Sequence, residues 1–139
     1  MKEKYLFDSN VQMITIEVKI GTPGLANTQI YKRGNGDETV KIGESPIENA
    51  NVEEVSLGDL TKLEKKSIAV QTIINFGTIE KKLWPQLLKT VSSQYVLKDN
   101  LGNKKTYSHD VDDIIVSNDG KTVFIIKLFN FQRKSVLDN

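Results

Sequence analysis

Between Ile14 and Ile20, four branched apolar residues (Ile14, Ile16, Val18 and Ile20) alternate with Thr15, Glu17 and Lys19. Successive side chains of an extended chain point to opposite faces, so this pattern predicts a strand with one face in a core and the other in water. The same period returns at Ile68, Val70, Thr72, Ile74 and Phe76, and again from Val123 to Phe131. Shorter extended segments are expected at TQIYK, TVKI, VEEVSL, QYVLK, KKTY and DDIIV. Between them stand GTPG, RGNGDE, GESPIENAN, DNLGN and SNDG, whose Gly, Pro, Asn and Asp favour tight turns and hairpin loops. Turn signals every 8 to 14 residues predict a mainly β fold: an antiparallel β-sandwich, or a small barrel, of about seven to nine strands. Alternating strand–helix units are absent, which argues against a parallel nucleotide-binding sheet.

One helix is expected, within TIEKKLWPQLLKTVS, packed on a sheet or closing one end. Ile79, Leu83, Leu87 and Val91 fall at steps of four, with Trp84 and Leu88 beside that stripe. Pro85 is unfavourable inside a helix but is accommodated in a first turn, so the regular helix should begin near Trp84. The stripe places Leu87 in the core. A helical turn with Asp59 as N-cap is expected in GDLTKLEKK.

The strand from Val123 to Phe131 is apolar on both sides. Phe124, Ile126 and Leu128 share one face; Val123, Ile125, Phe129 and Phe131 share the other, interrupted by Lys127. Such a strand needs a cover on each face. The sandwich core supplies one and the helix the other, with a partner chain as the competing cover. A contact built from Val123, Ile125, Lys127, Phe129 and Phe131 would make a weak homodimer. Lys127 itself reads as a guard against edge pairing or as a side chain that snorkels to solvent.

The chain of 139 residues has the size of one domain, with residues 1–10 and 132–139 as peripheral tails. The absence of cysteine excludes disulfides, thiolate metal sites and cysteine nucleophiles, and is compatible with a reducing compartment. MKEKYLFDSN is not followed by an export-signal core, which favours the cytoplasm on the chain as given. The longest apolar run, VFII, is far below the ~20 residues of a spanning helix, so no membrane insertion is expected. Net charge is +1, although residues 1–60 carry 6 basic and 10 acidic side chains and the rest carry 13 and 8. Six lysines (Lys62, Lys65, Lys66, Lys81, Lys82 and Lys89) crowd around Trp84 in sequence, but a near-neutral chain gives no general attraction for nucleic acid, and none is expected as a partner.

Chemistry-bearing residues are few. The single histidine lies in YSHDVDDI, so His109, Asp110, Asp112 and Asp113 are the candidate metal ligands or acid–base groups. If that stretch is extended, His109 and Asp113 face one way and Asp110 and Asp112 the other. The spacing also departs from a calcium loop, and a polar segment leading into the IIV strand accounts for the same residues. RGNGDE lies between strands rather than opening a helix, unlike a phosphate loop. Exposed rings that could stack on a sugar are sought at Trp84, Tyr31, Tyr95 and Tyr107. No cofactor is expected. The sequence reads as a non-catalytic interaction or structural module that binds a protein partner or itself. A small-ligand or carbohydrate-binding sandwich is the alternative, and a hydrolase or metal-dependent enzyme using His109 and its carboxylates comes last.

Overall fold

The structure, a computed structural model, describes residues 2–34 and 38–135. The tip of the RGNGDE loop and the last four residues of the expected tail lie outside the described residues. In chain order the elements are β1 (Lys2–Phe7), β2 (Ile14–Gly21), β3 (Leu25–Arg33), β4 (Thr39–Glu44), β5 (Val52–Ser56), α1 (Leu60–Leu63), β6 (Ser67–Asn75), α2 (Trp84–Thr90), β7 (Ser92–Asp99), β8 (Lys104–Tyr107), β9 (Ile114–Val116) and β10 (Thr122–Arg133). Strand makes up 53 % of the chain, and the two sheets pack face to face without closing, so the fold is a β-sandwich and not a barrel. One sheet runs β1-β10-β6-β3-β4, with β9 also paired to β10; the other runs β5-β2-β7-β8.

The inward residues are those the alternation selects. Ile14, Ile16 and Val18 of β2 are buried, as are Ile68, Val70, Thr72 and Ile74 of β6 and Phe76 just beyond it. On β10 the buried set is Val123, Ile125, Lys127, Phe129 and Phe131. The NDG turn joins β9 to β10, with Gly120 at φ +78, a backbone state that costs a glycine nothing. Asp119 accepts from the Ser117 hydroxyl and the Lys121 N–H and closes that turn. Asp59 caps α1 by accepting from the Thr61 N–H.

Three expectations are corrected. Residues 2–7 are not a tail: β1 pairs parallel with β10, Lys2 opposite Leu128 through Phe7 opposite Arg133, and it buries Tyr5 and Phe7. Gln132 and Arg133 likewise belong to β10. The helical stripe is shorter than its spacing suggests. The helix does begin at Trp84 with Pro85 in its first turn, as expected, after a separate 3-10 turn at residues 81–83, but α2 has only seven residues and Val91 is already extended. Leu83 is therefore exposed and Leu87 only half-buried. Finally, α2 does not cover the second face of β10. Trp84, Leu87 and Leu88 pack with Ile74, Phe76, Val91, Val123 and Ile125, closing one end of the core on the face where β10 is already inward.

The interior contains two apolar clusters. The larger gathers β1, β2 and the rings of Tyr95, Tyr107, Phe129 and Phe131; the smaller lies under α2. Along four strands a buried polar residue marks the boundary: Thr28 on β3, Thr72 on β6, Ser93 on β7 and Lys127 on β10. The Thr28 and Thr72 hydroxyls pair at 2.8 Å.

Phe129 stands edge-on to both Tyr95 (5.9 Å between centroids) and Tyr107 (5.3 Å) and has no exposed surface. Phe129→Ala should lower stability by about 3–5 kcal/mol, whereas Leu87→Ala should cost clearly less than the ~2–5 kcal/mol of a fully buried leucine. Urea unfolding of the two variants measures the difference; equal losses would place α2 deeper in the core than its burial indicates.

Candidate functional site

The groups that could carry chemistry meet at Lys127. β10 has β6 along one side. Along its other side β9 pairs with residues 123–125, and β1 with residues 128–133. Among the described residues neither half-strand pairs at Ile126 and Lys127, and the Lys127 side chain turns inward at this junction. Its ammonium lies 3.0 Å from Asp110 Oδ2, 3.2 Å from Glu3 Oε1 and 3.4 Å from Asp113 Oδ2. The side chains of Lys127 and Asp113 are 0 % and 2 % exposed, those of Glu3 and Asp110 27 % and 43 %.

The local fold explains how the two aspartates converge. Residues 111–113 are a 3-10 turn, not an extended segment. In such a turn positions three apart eclipse one another, so Asp110 and Asp113 fall on the same side. The Asp113 N–H donates to the Asp110 carbonyl at 3.0 Å, and Asp113 Oδ2 accepts the Asp110 N–H at 2.7 Å. Asp112, in the middle of the turn, is exposed. The expected division of the carboxylates between two strand faces is thus replaced by a focus on a lysine.

His109 bonds instead to Ser93. Ser93 Oγ accepts its backbone N–H at 2.9 Å and pairs with ring Nδ1 at 2.5 Å. Ser93 is 5 % exposed, and both of these bonds run to one residue, so the pair pins β7 to the segment after β8. The four candidate metal ligands do not assemble, and no group of three or more His, Asp or Glu among the described residues is placed to hold a metal ion. Lys127 Nζ takes the position between the carboxylates that a cation would fill.

The electrostatics follow from this packing. Burial alone would push the Lys127 ammonium down, but the hydrogen bonds to Asp110 and Glu3 and the Asp113 charge outweigh it and hold the group above its ordinary range. Burial would likewise raise Asp113; the Asp110 N–H and Lys127 hold it low. His109 is pushed down, mainly by burial and further by Lys127, against the pull of the two aspartates. Burial raises the Tyr95 phenol to about 12 and also raises that of Tyr107.

The remaining candidate residues do not form a site. Tyr95 and Tyr107 are core residues opposite each other on β7 and β8, with both hydroxyls buried. Trp84 is half-buried with its ring N–H on the Ile79 carbonyl, and Tyr31 on β3 bonds through its hydroxyl to Gln29. An open trough of about 1210 Å3 lies against the four-stranded sheet, with Glu17, Lys19, Glu44, Asn51, Glu53 and Gln94 among its lining; no aromatic ring lines it. The lysines crowded in sequence also separate. Lys62, Lys65 and Lys66 precede β6 while Lys81, Lys82 and Lys89 follow it, so the nine-residue strand sets the groups roughly 30 Å apart.

Val123, Ile125, Lys127, Phe129 and Phe131, the expected interface, are at most 3 % exposed. They face the chain's own opposite sheet, which leaves them no surface for a partner. Sequence reasoning missed Glu3 and Ser93 altogether. A signal was present for the first: a lysine on an apolar strand face must be paired if it is buried, so a carboxylate partner was implied.

No family model matches the chain, and no curated protein or solved structure shows significant similarity to it.

Removing the cation should be costly. Lys127→Met removes the ammonium shared by Glu3, Asp110 and the buried Asp113 and should destabilise the fold by about 3–5 kcal/mol at neutral pH, measured by urea unfolding. His109 gives a separate pH signature. Its folded pKa lies below its unfolded value, so the unfolded chain binds the extra proton first. Stability is fully present above the ordinary histidine value of 6.5 and is lost as pH falls from there towards the folded value. The midpoint of thermal unfolding should drop between pH 7 and 5.5, and His109→Gln should flatten that part of the profile.

Proposed function

We propose that this chain is a non-catalytic interaction or structural module that pairs with a second copy of itself through the outer face of its six-stranded sheet. The observation that carries the reading is the second apolar face of β10, which no element of the described residues covers. Phe124, Ile126 and Leu128 are only partly buried. Across the sheet Phe124 lies opposite Ile115 on β9 and Ile73 on β6, and Leu128 opposite Ala69, itself opposite Tyr31 on β3. Directly opposed residues point to the same side, so these rows put apolar side chains of β9, β10, β6 and β3 on one outer face, with Gln71 and Gln29 in the row between them beside Ile126. Ile115 at its margin is 57 % exposed.

A strand apolar on both sides calls for two covers, and the helix closes the end of the core instead of this face. Contiguous exposed apolar surface beyond a few hundred Å2 marks contacts. Sheet faces stack about 10 Å apart, and a two-fold axis lets one such face meet its own copy with every contact made twice. The carbohydrate-binding alternative lacks comparable support, because the four rings considered for it are dispersed or buried.

Sedimentation at increasing concentration should show a monomer–dimer equilibrium. Phe124→Glu should move it to monomer with little change in the unfolding midpoint, whereas Phe129→Glu should unfold the chain. A monomer at every concentration would overturn the self-pairing reading, and capture of a different protein by wild type but not by Phe124→Glu would redirect it to a heterologous partner.

A further inference from the structure

Lys127 and Asp113 are a primary amine and a carboxyl group held against each other out of contact with water, which is the arrangement an amide bond requires. We propose that Lys127 Nζ condenses with Asp113 Cγ to form an intramolecular isopeptide cross-link between β10 and the turn before β9, with Asp110 as the proton carrier.

The geometry supplies each participant. Nζ is 3.4 Å from Asp113 Oδ2, and both side chains are almost wholly enclosed. Asp110 Oδ2 is closer to Nζ, at 3.0 Å, and is the most exposed of the three carboxylates, so it is placed both to take a proton from nitrogen and to connect the site with solvent. Glu3 at 3.2 Å holds Nζ from the β1 side.

The ion pair is the reactant state. The ammonium passes one proton to Asp110, and the nitrogen lone pair adds to Asp113 Cγ. The adduct loses a second proton from nitrogen, while a carboxyl oxygen of Asp113 departs with two protons as water. The Nζ–Cγ bond forms, one Cγ–O bond breaks, and no oxidant or further reactant is needed. Two physical effects favour it. Fixed proximity in a single fold corresponds to effective molarities on the order of 10⁵–10⁸ M for well-oriented groups. Condensation also replaces two buried opposite charges by a neutral amide, removing the desolvation penalty that burial of the ion pair imposes.

Intact-mass measurement of the purified, folded wild-type chain tests this directly. The mass should fall below the sum of its residues by one water, and digestion should release a branched peptide joining Asp113 to Lys127. Lys127→Arg and Asp113→Ala should each restore the full mass, and Asp110→Ala should slow the appearance of the shifted species in freshly refolded protein. Wild-type protein that keeps the full mass after prolonged incubation in the folded state would overturn the proposal. So would a water loss without a branched peptide, as from cyclisation at Asp119–Gly120, or a branch that maps to Glu3 or Asp110.

Discussion

The ammonium of Lys127 joins parts of this structure that are far apart in the chain. Three carboxylates reach it from separate places in the chain: Glu3 from β1, and Asp110 and Asp113 from the turn between β8 and β9. β1 and β9 share one side of β10 end to end, and among the described residues neither of them pairs with it at Ile126 and Lys127. Lys127 closes that junction from within. A buried charge is tolerated only when paired, and here the pairing holds the two half-strands in position against the strand that carries it.

The lysine also belongs to a wider pattern. Thr28, Thr72 and Ser93 occupy corresponding inward positions on three other strands, so the core is divided into an aromatic-rich part and a part closed by α2. Each polar member has its own partner: threonine with threonine, serine with His109, lysine with carboxylates. Such a boundary contributes less to stability than packed aliphatic side chains would. It restricts which strands can sit beside one another, because a misplaced neighbour would strand a hydroxyl or a charge without its bond.

What was legible in the sequence is what depends on local periodicity. β2, β6 and β10 are visible because alternation survives any arrangement of neighbours, and Pro85 and Asp59 mark helix starts by their own backbone chemistry. The helical stripe from Ile79 to Val91 misled because spacing by four says nothing of where a helix ends; a 3-10 turn precedes α2 and a strand follows it. β1 escaped because KEKYLF offers only Tyr5 and Phe7 to the core, and its partner β10 lies more than a hundred residues away. The convergence of Asp110 and Asp113 was hidden for a related reason. Whether residues three apart meet or diverge is decided by the backbone state of the turn, and DVDD is compatible with either.

β10 shows how the polar boundary and the outer face are connected. Its two faces are nearly equal in apolar content: Val123, Ile125, Phe129 and Phe131 on one, Phe124, Ile126 and Leu128 on the other. A slip of one residue exchanges them, and hydrophobic burial alone discriminates poorly between the two registers. Lys127 removes the ambiguity. In the slipped register it would point to solvent and lose its bonds to Glu3, Asp110 and Asp113, a penalty of several kcal/mol. The register that satisfies the lysine places Phe124, Ile126 and Leu128 outside. The same ion pair that specifies the interior therefore leaves a second row of apolar side chains on the exterior, so the core face and the proposed contact face belong to one strand.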